Sequence, residues 1–234
     1  MHSMIKGIQK TTLVDYPGKV AATIFIAGCN MRCGFCHNRD LVVDHSGIAP
    51  IPVDEVLSFL ASRKDRLDGV CITGGEPTLW PGLPDLCRRI KALGLSLKLD
   101  TNGTNPSIVK KLIDEGLLDY IAMDIKAGPD HYSLVSGVHV PLDRIRESIT
   151  LLMTSGVDYE FRTTIIPDVH DRKEMESIRE LIKGCRHYAL QQYKGVPTTI
   201  DPKYNNMEPL SMDVLKEYKT LMEEAIPSVE IRNS

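Results

Sequence analysis

Much is missing from this sequence, and each absence removes a class of function. No apolar run approaches the roughly 20 residues that span a bilayer. The opening MHSMIKGIQKTTLVDYPG has neither the apolar core nor the small-residue cleavage site of a secretory signal, so a cytoplasmic protein is expected. No excess of one charge exists: 28 Lys and Arg stand against 31 Asp and Glu, a net charge of −3. That balance gives no electrostatic case for nucleic acid or an anionic membrane surface as partner. No linker, low-complexity tract or sequence repeat breaks the chain. A single domain over residues 1–234 is expected, with a core at about 15–195 and a C-terminal loop and helix over 196–234. With 42% hydrophobic and 25% charged residues, the composition supplies ample material for a core. There is no second C-x-x-C pair, so a structural zinc ligand set is incomplete. Without an export signal, the six cysteines point to metal or redox chemistry rather than a disulfide framework.

What is present is a rhythm. Amphipathic stretches end in Gly and β-rich runs follow at once: IKALG/LSLKLD, IDEG/LLDYIAMDI, LMTSG/VDYEFRTTII and LIKG/CRHYALQQY. Gly94, Gly116, Gly156 and Gly184 therefore stand where a left-handed helix cap is wanted. Asn105 and Pro106 read as an N-cap and first-turn pair. Helical spacing recurs at Val53, Val56, Leu57 and Leu60, and again at Leu215, Tyr218, Met222 and Ala225. VAATIFIA and GVCIT add two buried strands. Strands alternating with helices imply parallel βαβ units. About six are present, fewer than the eight of a closed barrel. The expected fold is α/β, a partial, open (β/α)6 TIM-like barrel, with a doubly wound sheet as the alternative.

In either fold, chemistry belongs past the C-terminal ends of the strands. The unusual residues fall there: Cys29, Cys33 and Cys36 after VAATIFIA, GGEPT (Gly74 to Thr78) after VCIT, and DTNG (Asp100 to Gly103) after LSLKL. MDIKA (Met123 to Ala127) ends the fourth strand, Arg162 lies in the fifth, and LQQY (Leu190 to Tyr193) ends the sixth. Three thiols can hold zinc with His37 as fourth ligand, although adjacent residues such as Cys36 and His37 rarely reach one metal. Thiolates equally select an iron–sulfur cluster. In a 4Fe-4S cluster, three cysteines leave one iron open to a small bidentate ligand. Cys71, Cys87 and Cys185 are scattered and read as small buried hydrophobes. GGEP and DTNG, taken singly, are ordinary turn sequences.

C-x-x-x-C-x-x-C after a first strand, followed in order by GGEP and DTNG, resembles the radical S-adenosylmethionine (radical SAM) superfamily. TTLVDYPGKVAATIFIAGCNMRCGFCHN, ITGGEPTL, KLDTNG, AMDIKA, YEFRTTIIPDVHD and YALQQY together are similar to the glycyl-radical-enzyme activases, and most to those of anaerobic ribonucleotide reductase. The resemblance implies an oxidoreductase with a 4Fe-4S cluster on Cys29, Cys33 and Cys36. S-adenosylmethionine would chelate the open iron and yield a 5′-deoxyadenosyl radical. Gly74, Gly75 and Glu76 would meet its methionine amino group. Phe35, Cys36 and His37 would line the adenine side. Asp100, Thr101, Asp124, Ile125 and Lys126 would hold the carboxylate and ribose region, with room for a monovalent cation. Arg162 would lie near the carboxylate, and Gln191 or Gln192 (the latter preferred) at the ribose or adenine. The implied partners are a glycyl radical enzyme, anaerobic ribonucleoside-triphosphate reductase first, and a flavodoxin- or ferredoxin-like electron donor. Pyruvate formate-lyase, a small molecule as substrate, and a non-catalytic zinc module are the alternatives. The loops at 127–141 and 194–209 are long enough to rim an opening for a partner's chain.

Overall fold

The computed structural model describes residues 3–233. Its strands form one eight-stranded sheet in chain order. They are β1 Ile5–Thr12, β2 Ala21–Ile26, β3 Gly69–Gly74, β4 Ser96–Thr101, β5 Tyr120–Asp124, β6 Asp158–Ile165, β7 Tyr188–Gln192 and β8 Val229–Asn233. β1 runs antiparallel to β2, whereas β2–β3, β3–β4, β6–β7 and β7–β8 are parallel. A doubly wound sheet reverses its strand order at a switch point. This order never reverses, so the open barrel-type arrangement is the one adopted, with β1 and β8 as its edges.

Helices follow each strand from β2 to β7: α1 Arg39–Val42 and α2 Val53–Arg63, α3 Leu83–Ala92, α4 Pro106–Asp114, α5 Tyr132–Ser136 and α6 Leu142–Thr154, α7 Arg172–Leu181, and α8 Met212–Glu223. Those are the six strand–helix units expected. β1 and β8 are additions that the apolar pattern did not announce. All four capping glycines have positive φ, 83° at Gly94, 64° at Gly116, 78° at Gly156 and 84° at Gly184. Asn105 caps α4 by position, but its side chain takes no helix backbone N–H: its amide nitrogen donates to the Thr78 carbonyl at 3.0 Å, and its Oδ1 accepts from Ser107 Oγ at 3.1 Å.

The chain packs as two compact units. The first is built on β1 to β4 and comprises residues up to Asn30 with 40–101 and 105–121; the second holds 31–39, 102–104 and the chain from Ala122 on. In the first, β2 and β3 are buried on both faces, as parallel strands covered by helices must be. Leu83, Leu86, Cys87 and Ile90 form the buried stripe of α3. In the second, Phe161 and Ile165 of β6, Tyr188 and Leu190 of β7, and Met175 and Ile178 of α7 are fully buried or nearly so. Cys71, Cys87 and Cys185 are all completely buried, as small hydrophobes are.

Candidate cofactor site

The first unit shapes the GGEP turn around the backbone that leads to Cys29. Past the end of β2, Gly28 turns at φ +89° and donates its N–H to the Leu41 carbonyl at 2.8 Å. The Gly75 N–H donates to the Ile26 carbonyl at 2.8 Å, and the Glu76 N–H to the Gly28 carbonyl at 2.7 Å. This approach leaves no space for side chains. A Cβ on Gly74 would lie 2.3 Å from the Ile26 oxygen, and one on Gly75 would lie 2.1 Å from the Gly28 oxygen. Both glycines are thus required by the β2–β3 crossing itself.

Glu76 is wholly buried. Its Oε1 accepts from Thr78 N–H at 3.2 Å, Thr78 Oγ1 at 2.5 Å and Thr101 Oγ1 at 2.8 Å, and so caps the short 3-10 turn Pro77–Leu79. Two residues before Asp100 on the same face of β4, Lys98 is 2% exposed and its Nζ donates to Asp100 Oδ1 at 2.5 Å. A buried carboxylate needs such a partner. Lys98 and Thr78 lie within the KLDTNG and GGEPT segments, but the sequence assigns neither a role of its own.

In the second unit, the loop bearing Cys33 and Cys36 is held on two flanks. The Arg32 N–H donates to the Ser136 carbonyl at 2.8 Å, and the Asp201 N–H to the Gly34 carbonyl at 2.9 Å. Two glycines permit the fit: a Cβ on Gly137 would lie 2.2 Å from the Arg32 oxygen, and one on Gly34 would lie 2.6 Å from the Tyr204 ring. The loops at 127–141 and 194–209 therefore serve in part to grip the cysteine loop, through α5 and the turn Pro202–Tyr204. Cys33 is buried and Cys36 half-buried. Phe35 is buried edge-on against Tyr204, with ring centres 6.0 Å apart, and the exposed His37 ring lies 5.3 Å from that of Tyr193. Burial pushes the Cys33 thiol up, and the nearby Lys126 ammonium opposes that rise.

Asp124 ends β5 between two cations. Arg162 Nε donates to its Oδ1 at 2.5 Å, and Lys126 Nζ to its Oδ2 at 2.8 Å. Burial alone would raise the Asp124 carboxyl, but Arg162 and Lys126 outweigh it and hold the group well below the usual carboxylate range. Burial likewise works against the Lys126 ammonium, and the Asp124 charge more than restores it. One carboxylate with two cations leaves this triad at +1. Ile125 is anchored through its backbone: its N–H donates to the Arg162 carbonyl at 2.8 Å, and Thr163 Oγ1 donates to its carbonyl at 2.8 Å.

The β6–β7 register separates the two glutamines. Thr164 pairs with Gln191 and Ile165 with Gln192, so Gln191 shares the sheet face of Arg162, and Gln192 takes the opposite face. Gln192 Nε2 donates to the Leu210 carbonyl at 2.8 Å. The structure thus brings Glu76 to Thr101 in the first unit, and Asp124 to Lys126 and Arg162 in the second.

The chain belongs to the Radical SAM superfamily, whose model matches residues 23–183. It is 32% identical over 239 residues to a Methanocaldococcus jannaschii protein assigned by name to the glycyl-radical enzyme activating enzymes, covering 99% of this chain and 97% of that one. It is 26% identical over 238 residues to the pyruvate formate-lyase-activating enzyme of Clostridium pasteurianum, covering 95% of this chain and 98% of the other. Among solved structures, Streptococcus suis SuiB bound to S-adenosylmethionine superposes with a TM-score of 0.66 at 17% identity, over 88% of this chain and 48% of that longer one. That likeness establishes the fold. Within the superfamily, the chain is a glycyl-radical-enzyme activase, and the family implies a 4Fe-4S cluster and S-adenosylmethionine as cofactors.

The residues present fit those groups. Cys29, Cys33 and Cys36 supply soft thiol donors, which suit iron–sulfur clusters, and the Cys33 thiol has a cation beside it. No helix among the described residues is long and apolar enough to cross a membrane.

Proposed function

We propose that this chain generates a glycyl radical on anaerobic ribonucleoside-triphosphate reductase, using Cys29, Cys33 and Cys36 to hold a 4Fe-4S cluster. The observation that carries the chemistry is the Asp124–Lys126–Arg162 triad, two half-buried cations that share one carboxylate, with Lys126 near the Cys33 thiol. When bound, the reduced cluster supplies the electron that splits the sulfonium of S-adenosylmethionine and so provides the radical that takes hydrogen from glycine. The protein's share is to bind, orient and exclude water. Lys126 and Arg162 attract the cofactor carboxylate, while Asp124 fixes both cations in place. Asp100 and Thr101 take the ribose region, and Glu76 accepts from the methionine amino group at the turn that Gly74 and Gly75 shape. Phe35 and His37 line the adenine side. We assign Gln191, rather than Gln192, to the cofactor, because it shares the face of Arg162.

The family model spans both compact units, which supports reading residues 1–234 as one catalytic domain. A flavodoxin- or ferredoxin-like protein suits the electron supply. The choice of reductase rests on the resemblance through YEFRTTIIPDVHD and YALQQY. A second target, pyruvate formate-lyase, is favoured by the end-to-end likeness to the clostridial activase. Incubating the reduced protein with S-adenosylmethionine and each candidate enzyme, followed by electron paramagnetic resonance, decides between them. A glycyl doublet on the reductase is expected; a doublet with the lyase alone refutes the choice.

A further inference from the structure

Lys126 stands just past β5 in a segment without regular secondary structure. A flexible lysine there would not hold one geometry, since its long stem carries about 2 kcal/mol of rotamer entropy. The backbone of the segment is nevertheless pinned from outside. The Lys126 carbonyl faces His170 Nε2 at 3.0 Å, and the Gly128 N–H donates to Glu174 Oε1 at 2.5 Å.

The His170 tautomer follows from its other bond. The Ile166 N–H donates to Nδ1 at 2.9 Å, so the ring proton is on Nε2 and is donated to Lys126. The ring is 1% exposed, and Tyr218 Oη donates to the His170 carbonyl at 2.9 Å. Glu174 shows a second departure from local habit. Asp171 and Glu174 have the spacing of a capping box, and Asp171 performs its half, accepting from the Glu174 N–H at 2.8 Å. The reciprocal bond is not made. The Glu174 carboxylate is 6% exposed and instead spans the Gly128 N–H and His131 Nδ1, the latter at 2.6 Å. α7 lies directly on this backbone, because a Cβ on Gly128 would fall 2.2 Å from Ser177 Oγ.

We propose that His170 and Glu174 are positioning residues that fix the backbone of residues 126–128 and so aim Lys126 at Asp124. The role in catalysis rests on the reading of Lys126 as a cofactor-binding group; the bracket itself does not. Neither residue touches the reacting atoms. Each acts through a main-chain bond that no other described side chain makes to the Lys126 carbonyl or the Gly128 N–H.

Two measurements test this on the full-length chain. The first needs no cofactor: acylation of lysine amines followed by mass spectrometry. Lys126, 16% exposed and paired, should react slowly beside Lys110, which is 60% exposed. His170→Phe keeps the ring volume without the donor, and Glu174→Ala removes the acceptor. Each should speed Lys126 labelling by roughly three- to tenfold, the equivalent of one net hydrogen bond. His170→Gln and Glu174→Gln, which restore the donor or acceptor, should return it toward the wild-type rate. The second is the affinity of the cluster-loaded protein for S-adenosylmethionine by equilibrium dialysis. Each disrupting variant should lose a similar factor alone and nothing more in a Lys126→Ala background. Wild-type labelling in both disrupting variants, or losses that add fully to that of Lys126→Ala, overturns the proposal. A wild-type protein that carries its cluster yet binds no S-adenosylmethionine overturns the functional reading, and the labelling still decides the bracket.

Discussion

Replacing Gly75 by Ala should break the β2–β3 crossing at the residue before the first cysteine. The added Cβ would sit 2.1 Å from the Gly28 oxygen and 2.7 Å from its carbonyl carbon. Ordinary van der Waals contact begins at 3.4 Å, so the two backbones must part by about 1.3 Å, the difference of 3.4 and 2.1. Both are main chain, and no rotamer change relieves the clash. The bonds from Gly75 to Ile26 and from Glu76 to Gly28, 2.8 and 2.7 Å long, would stretch beyond hydrogen-bond range. Two lost bonds at about 0.5–1.5 kcal/mol each, with overpacking of about 1–3 kcal/mol, total roughly 2–6 kcal/mol. That is a large part of a typical folding stability of about 5–15 kcal/mol. With a slope of roughly 2 kcal/mol per molar, the urea midpoint should fall by about 1–3 M. Cluster uptake should fall too, because Gly28 adjoins Cys29. Gly94→Ala is the control: its Cβ meets nothing within 4 Å, and only the positive φ of 83° opposes it. A Gly75→Ala variant no less stable than Gly94→Ala would refute the steric argument.

Alanine at Cys29, Cys33 or Cys36 should abolish the visible absorption of the anaerobically reconstituted protein, and alanine at Cys71, Cys87 or Cys185 should spare it; cluster loss in the second set would sink the ligand assignment. Glu76→Gln should keep the cluster but weaken S-adenosylmethionine binding roughly ten- to hundredfold, as loss of a charge-assisted bond does. Unchanged binding by equilibrium dialysis would leave Glu76 with its visible task, the cap on Pro77–Leu79. Asp124→Asn removes the carboxylate that Lys126 and Arg162 share and should cost about 1.5–3 kcal/mol in urea unfolding at pH 7, the range for a hydrogen bond to a charged group. The Asp124 carboxyl is held below its ordinary value, so its contribution is full above the unfolded value of about 3.9 and fades as pH falls through the lower folded value. The gap between variant and wild type should therefore persist to about pH 4 and shrink only below it; a gap closing between pH 7 and 5 would contradict the pairing.

The parts of this fold legible in the sequence are those written in local rules. Gly94, Gly116, Gly156 and Gly184 announce helix ends because a backbone at positive φ selects glycine from its own conformation alone. β2 and β3 announce themselves because strands covered on both faces must be apolar throughout. β1 and β8 did not. β1 is exposed from Gln9 to Thr11, and β8 alternates Val229, Glu230, Ile231 and Arg232 in a short run whose charges read as surface. Besides the pair that Arg232 makes with Glu230 within the strand, Arg232 makes a two-pronged pair across to β6, with the fully buried Glu160 at 2.8 and 2.6 Å. No local pattern encodes a partner 72 residues away.

The same division runs through the candidate site. Cysteine spacing, GGEP, DTNG and MDIKA were legible because each is a short segment whose chemistry is unusual for a turn. What each of their residues bonds to was not: Lys98, Thr78, Thr101 and His170 stand in quoted segments that give no sign of the bonds to Asp100, Glu76 and Lys126, and Glu174 stands outside them all. A buried polar side chain has the same letter as an exposed one, and its identity as a support appears only when its partner does. The two glutamines show the limit at its finest. Gln191 and Gln192 are the same residue type one position apart, and strand alternation guarantees that they face opposite ways. Only the pairing of Thr164 with Gln191 says which of them looks toward Arg162. A test follows directly. Gln191→Leu should weaken S-adenosylmethionine binding, because a cofactor-facing amide is lost. Gln192→Leu should instead lower thermal stability, through the lost bond to the Leu210 carbonyl, and leave affinity within twofold. The reverse pattern would mean that the cofactor lies on the face of β7 that carries Gln192, and the assignment of Arg162 to its carboxylate would fall with it.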